Sequence, residues 1–210
     1  MTNKAFETEQ EAFWSGSFGD DYIDRNISPE LLAANLVYFT SALARCGRLR
    51  TIFEVGANVG MNLRALGQLY PGCSMSAIEI NTAAAKQLET VIPPQQVTRG
   101  SILDFDTTDQ FDLVFTKGVL IHLSPDHLPV VYDKMAAMSS RYVLIGEYYN
   151  PSAVAISYRG HTDRLFKRDF CGEFMDRHPG FSLIDYGFAY HRDPCHQQDD
   201  ITWFLLERQD

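Results

Sequence analysis

The stretch Ile52-Phe53-Glu54-Val55-Gly56-Ala57-Asn58-Val59-Gly60 decides how this chain folds. Thr51 to Val55 is a short apolar run that reads as a buried strand, and Met61 to Leu69 beyond the stretch reads as a helix. Between them the chain must turn sharply, and the glycines at 56 and 60 supply backbone conformations closed to most residues. Lacking side chains, they also let a ligand approach the backbone closely. Asn58 stands between them, and asparagine enters the left-handed region more readily than most residues.

The alternation continues outward from this turn. Ser74 to Ile80 reads as a strand, Thr82 to Val91 as a helix and Val97 to Arg99 as a short strand. Phe111 to Thr116 is a strand rich in Val, Leu and Phe; Ser124-Pro125-Asp126 starts a helix ending near Ser139, and Tyr142 to Glu147 is again a strand. Strands separated by helix-length segments indicate βαβ units and a parallel sheet. Upstream, Glu9 to Asn26 reads as a short helix followed by an ordered loop. Ser28-Pro29-Glu30 then opens a helix to about Cys46, with Gly47 as its stop. Downstream, Asn150 to Lys167 reads as irregular and polar, and Arg168 to His178 as a helix. Ser182 to Tyr190 and Ile201 to Glu207 read as an antiparallel pair. The expected organisation is a single domain over 1–210, with 1–48 as a helical lid or cap and 149–167 as a substrate-side insert.

Composition narrows the partners. The 210 residues carry 18 basic and 27 acidic side chains, a net charge of -9. Nucleic-acid binding draws most of its affinity from phosphate neutralisation by a basic face, and the basic residues here are scattered except for Arg164, Lys167 and Arg168. The four cysteines, Cys46, Cys73, Cys171 and Cys195, have no C-x-x-C spacing. His191, Cys195, His196 and Asp199 match no metal-site pattern, so no metal is expected. Met1 to Lys4 leads into an acidic stretch without an apolar core, and no apolar run approaches the roughly 20 residues of a membrane span. The expectation is a cytoplasmic protein with reduced thiols and no membrane partner; a homodimer is compatible with the sequence.

The glycine loop has spacing E-x-G-x-x-x-G, not the G-x-G-x-x-G of a dinucleotide fingerprint. Glu54 would repel a pyrophosphate but suits the cationic methionine ammonium of S-adenosylmethionine. Three further landmarks follow in order. Glu79 and Ile80 end the next strand, where an acid can accept from both ribose hydroxyls. Ser101 and Ile102 are placed to flank an adenine, and Lys117 and Gly118 follow the strand that leads to His122. Each landmark follows a strand. Together with Gly56, Asn58 and Gly60 they point to S-adenosylmethionine as cofactor, with Trp14, Phe18 and Tyr22 as a lid or, alternatively, a docked N-terminal helix.

Several segments are more particular. Phe13 to Asn26, Thr116 to Pro125, Gly146 to Pro151, Tyr158 to His161, Phe166 to Phe170, Asp185 to Phe188, Tyr190 to Asp193 and Asp199 to Phe204 resemble the pseudaminic acid biosynthesis-associated methylases. The resemblance covers nearly the whole chain. It implies a Rossmann-like class I methyltransferase: a mostly parallel seven-stranded sheet with a C-terminal antiparallel hairpin and helices on both faces. It also implies a nonulosonic-acid sugar, free or nucleotide-activated, as the small-molecule acceptor.

Methyl transfer from a sulfonium is an in-line displacement in which alignment does most of the work, and a hydroxyl acceptor gains from a general base. His122 is the candidate base; its alternative role is a structural hydrogen bond at the next helix. Tyr149 and Asn150 are candidates for orienting the sugar, and Glu147 should face the same cleft. Tyr158, Arg159, His161, Lys167 and Arg168 are candidates for a carboxylate or phosphate on the acceptor, against a solvated loop paired with Asp163 and Asp169. The competing reading of the whole is a non-catalytic partner protein that keeps the fold but methylates nothing.

Overall fold

The computed structural model describes residues 6, 8–23, 27–158 and 161–209, with backbone alone at 21, 158 and 161–164. In chain order the helices and strands are α1 (Glu9–Ser15), α2 (Ser17–Ile23), α3 (Pro29–Ala42), β1 (Thr51–Val55), α4 (Met61–Leu69), β2 (Ser74–Glu79), α5 (Thr82–Leu88), β3 (Val97–Arg99), β4 (Phe111–Lys117), α6 (Leu128–Met138), β5 (Ser139–Glu147), β6 (Val154–Tyr158), β7 (His161–Lys167), α7 (Phe170–Arg177), β8 (Phe181–Ala189) and β9 (Ile201–Arg208).

The main sheet has seven strands in the order β3-β2-β1-β4-β5-β9-β8. Neighbours from β3 to β5 pair in parallel, β9 runs antiparallel to β5, and β8 runs antiparallel to β9. This is the expected sheet, with the C-terminal pair completing it. Successive residues of each strand face opposite layers. Phe115, Leu144 and Leu205 join Phe39 of α3 and Leu63 and Leu66 of α4 in one core. Val114, Val143 and Leu206 join Val131 and Met135 of α6 and Phe174 of α7 in the other.

Local chemistry sets the helix starts. Ser28 Oγ accepts from Leu31 N at 3.0 Å in front of Pro29, and Asn81 Oδ1 accepts from Ala84 N at 2.9 Å to begin α5. Asp169 Oδ1 does the same for Gly172 N at 2.8 Å.

The structure corrects four expectations. Glu9 to Ile23 forms two helices separated at Gly16, not a helix and a loop. The insert is a two-stranded hairpin, not an irregular segment, with Val154 paired to Lys167 and Ile156 to Leu165. Leu165 is buried, and β7 packs against the short 3-10 turn Leu120–His122. The helix expected at Ser124 begins as a 3-10 turn, Pro125–His127, before α6 proper. The helix expected to end at Cys46 stops at Ala42 and runs on as turns. Among the described residues no helix is long and apolar enough to cross a membrane, and no cluster of His, Cys, Asp and Glu could hold a metal.

Candidate active site

The turn after β1 places three of its five residues in left-handed backbone: Gly56 at φ 71°, Asn58 at φ 48° and Gly60 at φ 82°. Asn58 is the sole non-glycine with positive φ among the described residues. A Cβ on Gly56 would lie 2.6 Å from Val119 Cγ2, so this turn touches the segment after β4. The N–H groups of Gly56 and Ala57 donate to Ile78 O at 2.9 and 3.2 Å, which ties the turn to the end of β2.

Two carboxylates flank the turn. Glu54 is wholly buried; its Oε1 accepts from Asn62 Nδ2 at 2.6 Å and its Oε2 has no partner. Burial pushes its carboxyl up to about 8, against the pull of Asn62 and Lys117. Glu79 is also buried, accepting from Asn58 N and Asn81 N at 2.7 Å each, and burial raises its carboxyl despite those bonds. Lys117, at the end of β4, donates to Asn35 Oδ1 of α3 at 2.9 Å and sits 4.9 Å from the Tyr38 ring centre. Desolvation pulls its ammonium down to about 8, while Glu54, Asp199 and Glu147 pull it back up. Asn35 also accepts from Gln198 Nε2 at 3.4 Å. Asn35, Tyr38 and Gln198 carry no sequence motif and were not among the expected site residues. A polar side chain on the buried stripe of α3 is the only signal Asn35 offered.

The N-terminal helices close over this end of the sheet. Asn81 Nδ2 donates to Asp20 Oδ1 at 2.9 Å and to Trp14 O at 3.3 Å. Trp14 packs edge-on to Phe18 and Tyr22, and its ring centre lies 4.5 Å from that of His122. Its buried Nε1 has no partner. Trp14, Tyr22, Glu54, Gly56, Asn58, Glu79 and His122 therefore share one region at the carboxyl ends of β1, β2 and β4, where open α/β sheets place ligands. Ser101 Oγ accepts from Leu103 N at 3.0 Å to start a 3-10 turn that buries Ile102, and Ile80, after β2, is half-buried. Gly118 turns the chain at φ 69°, its N–H donating to Gly146 O at 2.8 Å.

On the acceptor side the geometry departs from expectation. Glu147 does not face a cleft: Thr116 Oγ1 and the N–H groups of Val119, Leu120 and Ile121 surround its buried carboxylate. Arg168 is bound to Glu173 of α7 at 2.7 Å, and the Lys167 ammonium lies over the Tyr148 ring. Tyr148 packs against both cores, while Tyr149 is exposed beside Phe204. Asn150 N donates to Arg168 O at 3.3 Å. Arg159 lies outside the described residues, as do the side chains of Tyr158, His161 and Arg164. A cavity of about 420 Å³ opens elsewhere, between α4 and the segment after α5, lined by Leu63, Arg64, Met75 and Val91. It lies away from the strand ends and holds none of the expected site residues.

No protein-family model matches the sequence, and no curated protein matches it. The resemblance to the pseudaminic acid-associated methylases therefore rests on the quoted segments alone. Solved structures do match. A 1,6-didemethyltoxoflavin-N1-methyltransferase from Burkholderia thailandensis, with 1,6-didemethyltoxoflavin and S-adenosylhomocysteine bound, superposes with a TM-score of 0.72 at 17% identity, covering 98% of this chain and 92% of that one. A mitomycin 7-O-methyltransferase gives 0.65 at 14% identity; 96% of this chain is covered, but the chain spans only 61% of that protein. A magnesium protoporphyrin IX methyltransferase from Synechocystis with S-adenosylhomocysteine bound gives 0.63 at 14% identity over 95% and 98% of the two chains. The chain has the Rossmann-like fold of the class I methyltransferases.

Proposed function

We propose that this chain is an S-adenosylmethionine-dependent methyltransferase of small molecules, with a nonulosonic acid or its nucleotide-activated form as acceptor. The observation that carries the reading is Glu54 Oε2, a buried carboxylate oxygen without a partner beside a turn of left-handed residues. A buried carboxylate is unfavourable until a cation or donor reaches it, so the site fits an ammonium. The unpartnered Asn58 Oδ1 and Trp14 Nε1 extend the same opening, and relatives in fold hold S-adenosylhomocysteine.

When bound, S-adenosylmethionine supplies a methyl group already activated by its sulfonium. Glu54 would hold the ammonium, Glu79 would accept from the ribose hydroxyls with its remaining lone pairs, and Ser101 and Ile102 would flank the adenine. Trp14 and Tyr22 exclude water from above. An imidazole nitrogen of His122 would take the proton of an acceptor hydroxyl as its oxygen gains the methyl group and the carbon–sulfur bond breaks, leaving a neutral thioether. Tyr149 and Asn150 would orient the acceptor at its rim, with Lys167 toward its carboxylate and Arg168, paired with Glu173, flanking it. The sugar class rests on the quoted resemblance.

The test is calorimetry with S-adenosylhomocysteine, followed by turnover with labelled S-adenosylmethionine and a cytidylyl-activated nonulosonic acid. Binding and a product heavier by one methylene are expected. Absence of binding overturns the reading. Binding without transfer to free or activated nonulosonic acids removes the proposed acceptor and favours a non-catalytic partner protein.

A further inference from the structure

Glu147 closes β5, and its carboxylate reaches under the segment that follows β4. Its Oε1 accepts from Thr116 Oγ1 at 3.2 Å and from the N–H groups of Val119 and Leu120 at 3.0 Å each, while Oε2 accepts from Ile121 N at 3.4 Å. The first N–H groups of a helical turn have no partner within it. Here three consecutive ones, leading into the turn Leu120–His122, converge on one side chain. A neutral amide in its place would keep one accepting oxygen and turn N–H donors toward N–H donors.

Three parts of the site meet on the segment that Glu147 gathers. Val119 fills the space above Gly56. His122, at the end of the turn, contacts Trp14. β7 packs against the same turn from the hairpin. None of these contacts involves Glu147 itself, which is 2% exposed and has no opening to a ligand.

We propose that Glu147 is a positioning residue: by collecting the N–H groups of Val119, Leu120 and Ile121 it fixes the turn that presents His122 beneath Trp14 to the acceptor. The proposal rests on the methyltransferase reading for its catalytic meaning, yet the contact it controls is observable without turnover. Burial pushes the Glu147 carboxyl up to about 7 against the pull of its donors. The titratable groups that act on it from neighbouring elements are Lys117 of β4, Tyr38 of α3 and Tyr132 of α6.

The two tryptophans are Trp14 and Trp203, so a Trp203→Phe background isolates Trp14 emission. Imidazolium quenches a neighbouring indole more strongly than imidazole, so titration of His122 imposes a step on that emission, absent in His122→Ala. Glu147→Gln is expected to shrink the step about threefold or more, while S-adenosylhomocysteine affinity stays within about threefold of the parent. Thr116→Val removes one donor and preserves shape. It is expected to shrink the step less, and it decides the matter if Glu147→Gln does not fold. A step unchanged in amplitude and midpoint overturns the proposal. If the parent fails to bind S-adenosylhomocysteine, the methyltransferase reading falls, and the emission step still judges Glu147.

Discussion

Glu54 and Glu147 sit near the carboxyl ends of two strands of one sheet, both buried, and differ in a single respect. Glu147 is surrounded by donors, whereas Glu54 has one neighbour and an oxygen with none. On the proposed reading, unfilled hydrogen-bonding capacity at a buried carboxyl, rather than burial alone, marks the ligand site. The saturated carboxyl would organise the chain, and the unsaturated one would take its partner from outside.

The sharpest way to break this contrast is through the residue each carboxylate serves. His122→Ala should lower turnover about 100-fold or more while S-adenosylmethionine affinity changes little, as expected for loss of a general base; equal rates in variant and parent would confine His122 to structure. Glu54→Gln should act the other way, weakening S-adenosylmethionine binding by roughly 10- to 100-fold in calorimetry, the worth of one charged hydrogen bond. An unchanged affinity would place the ammonium elsewhere. Gly56→Ala should lower stability by about 1–3 kcal/mol in denaturant titrations, because a side chain at φ 71° is strained and meets Val119. Asn81→Ala should cost about 1 kcal/mol through the lost cap of α5, and should loosen Trp14, read as increased acrylamide quenching.

The mildest effect is in pH. Glu54 and Glu147 are raised from 4.5 to about 8 and about 7, so the folded chain keeps protons that the unfolded chain releases. Stability should fall as pH rises from about 4.5 to 8. Lys117 is lowered from 10.5 to about 8 and opposes that fall above about pH 8, until the raised thiols of Cys46, Cys73 and Cys171 renew it above about pH 9. Thermal scans should therefore show stability falling between about pH 4.5 and 8. Glu54→Gln should flatten that fall and melt higher than the parent at about pH 8. A scan without that fall would mean that water reaches Glu54.

The two regions were also unequally legible in the sequence. Apolar runs separated by helix-length segments gave the parallel sheet, because strands buried on both faces must be apolar throughout. Asn58 announced its left-handed backbone, since few other residues replace glycine there. Glu147 was misplaced on the acceptor because its partners are backbone N–H groups, identical in every residue and invisible in the letters. The hairpin was passed over although Val154 and Ile156 alternate with small residues. The polar and charged residues around that alternation outweighed it, and the cross-strand pairing that stabilises it is non-local. Asn35 and Gln198 lie 163 positions apart and meet only because α3 crosses the sheet beside β9.

Asn81 joins duties that are usually separate. One side chain starts α5 with its oxygen and holds Asp20 and the Trp14 carbonyl with its nitrogen, two residues after Glu79. The cover over the strand ends is thus tethered to the rim of the pocket it closes. On the proposed function, lifting it would break both tethers together, so departure of the spent donor would be a discrete opening event whose frequency limits the rate of the whole cycle.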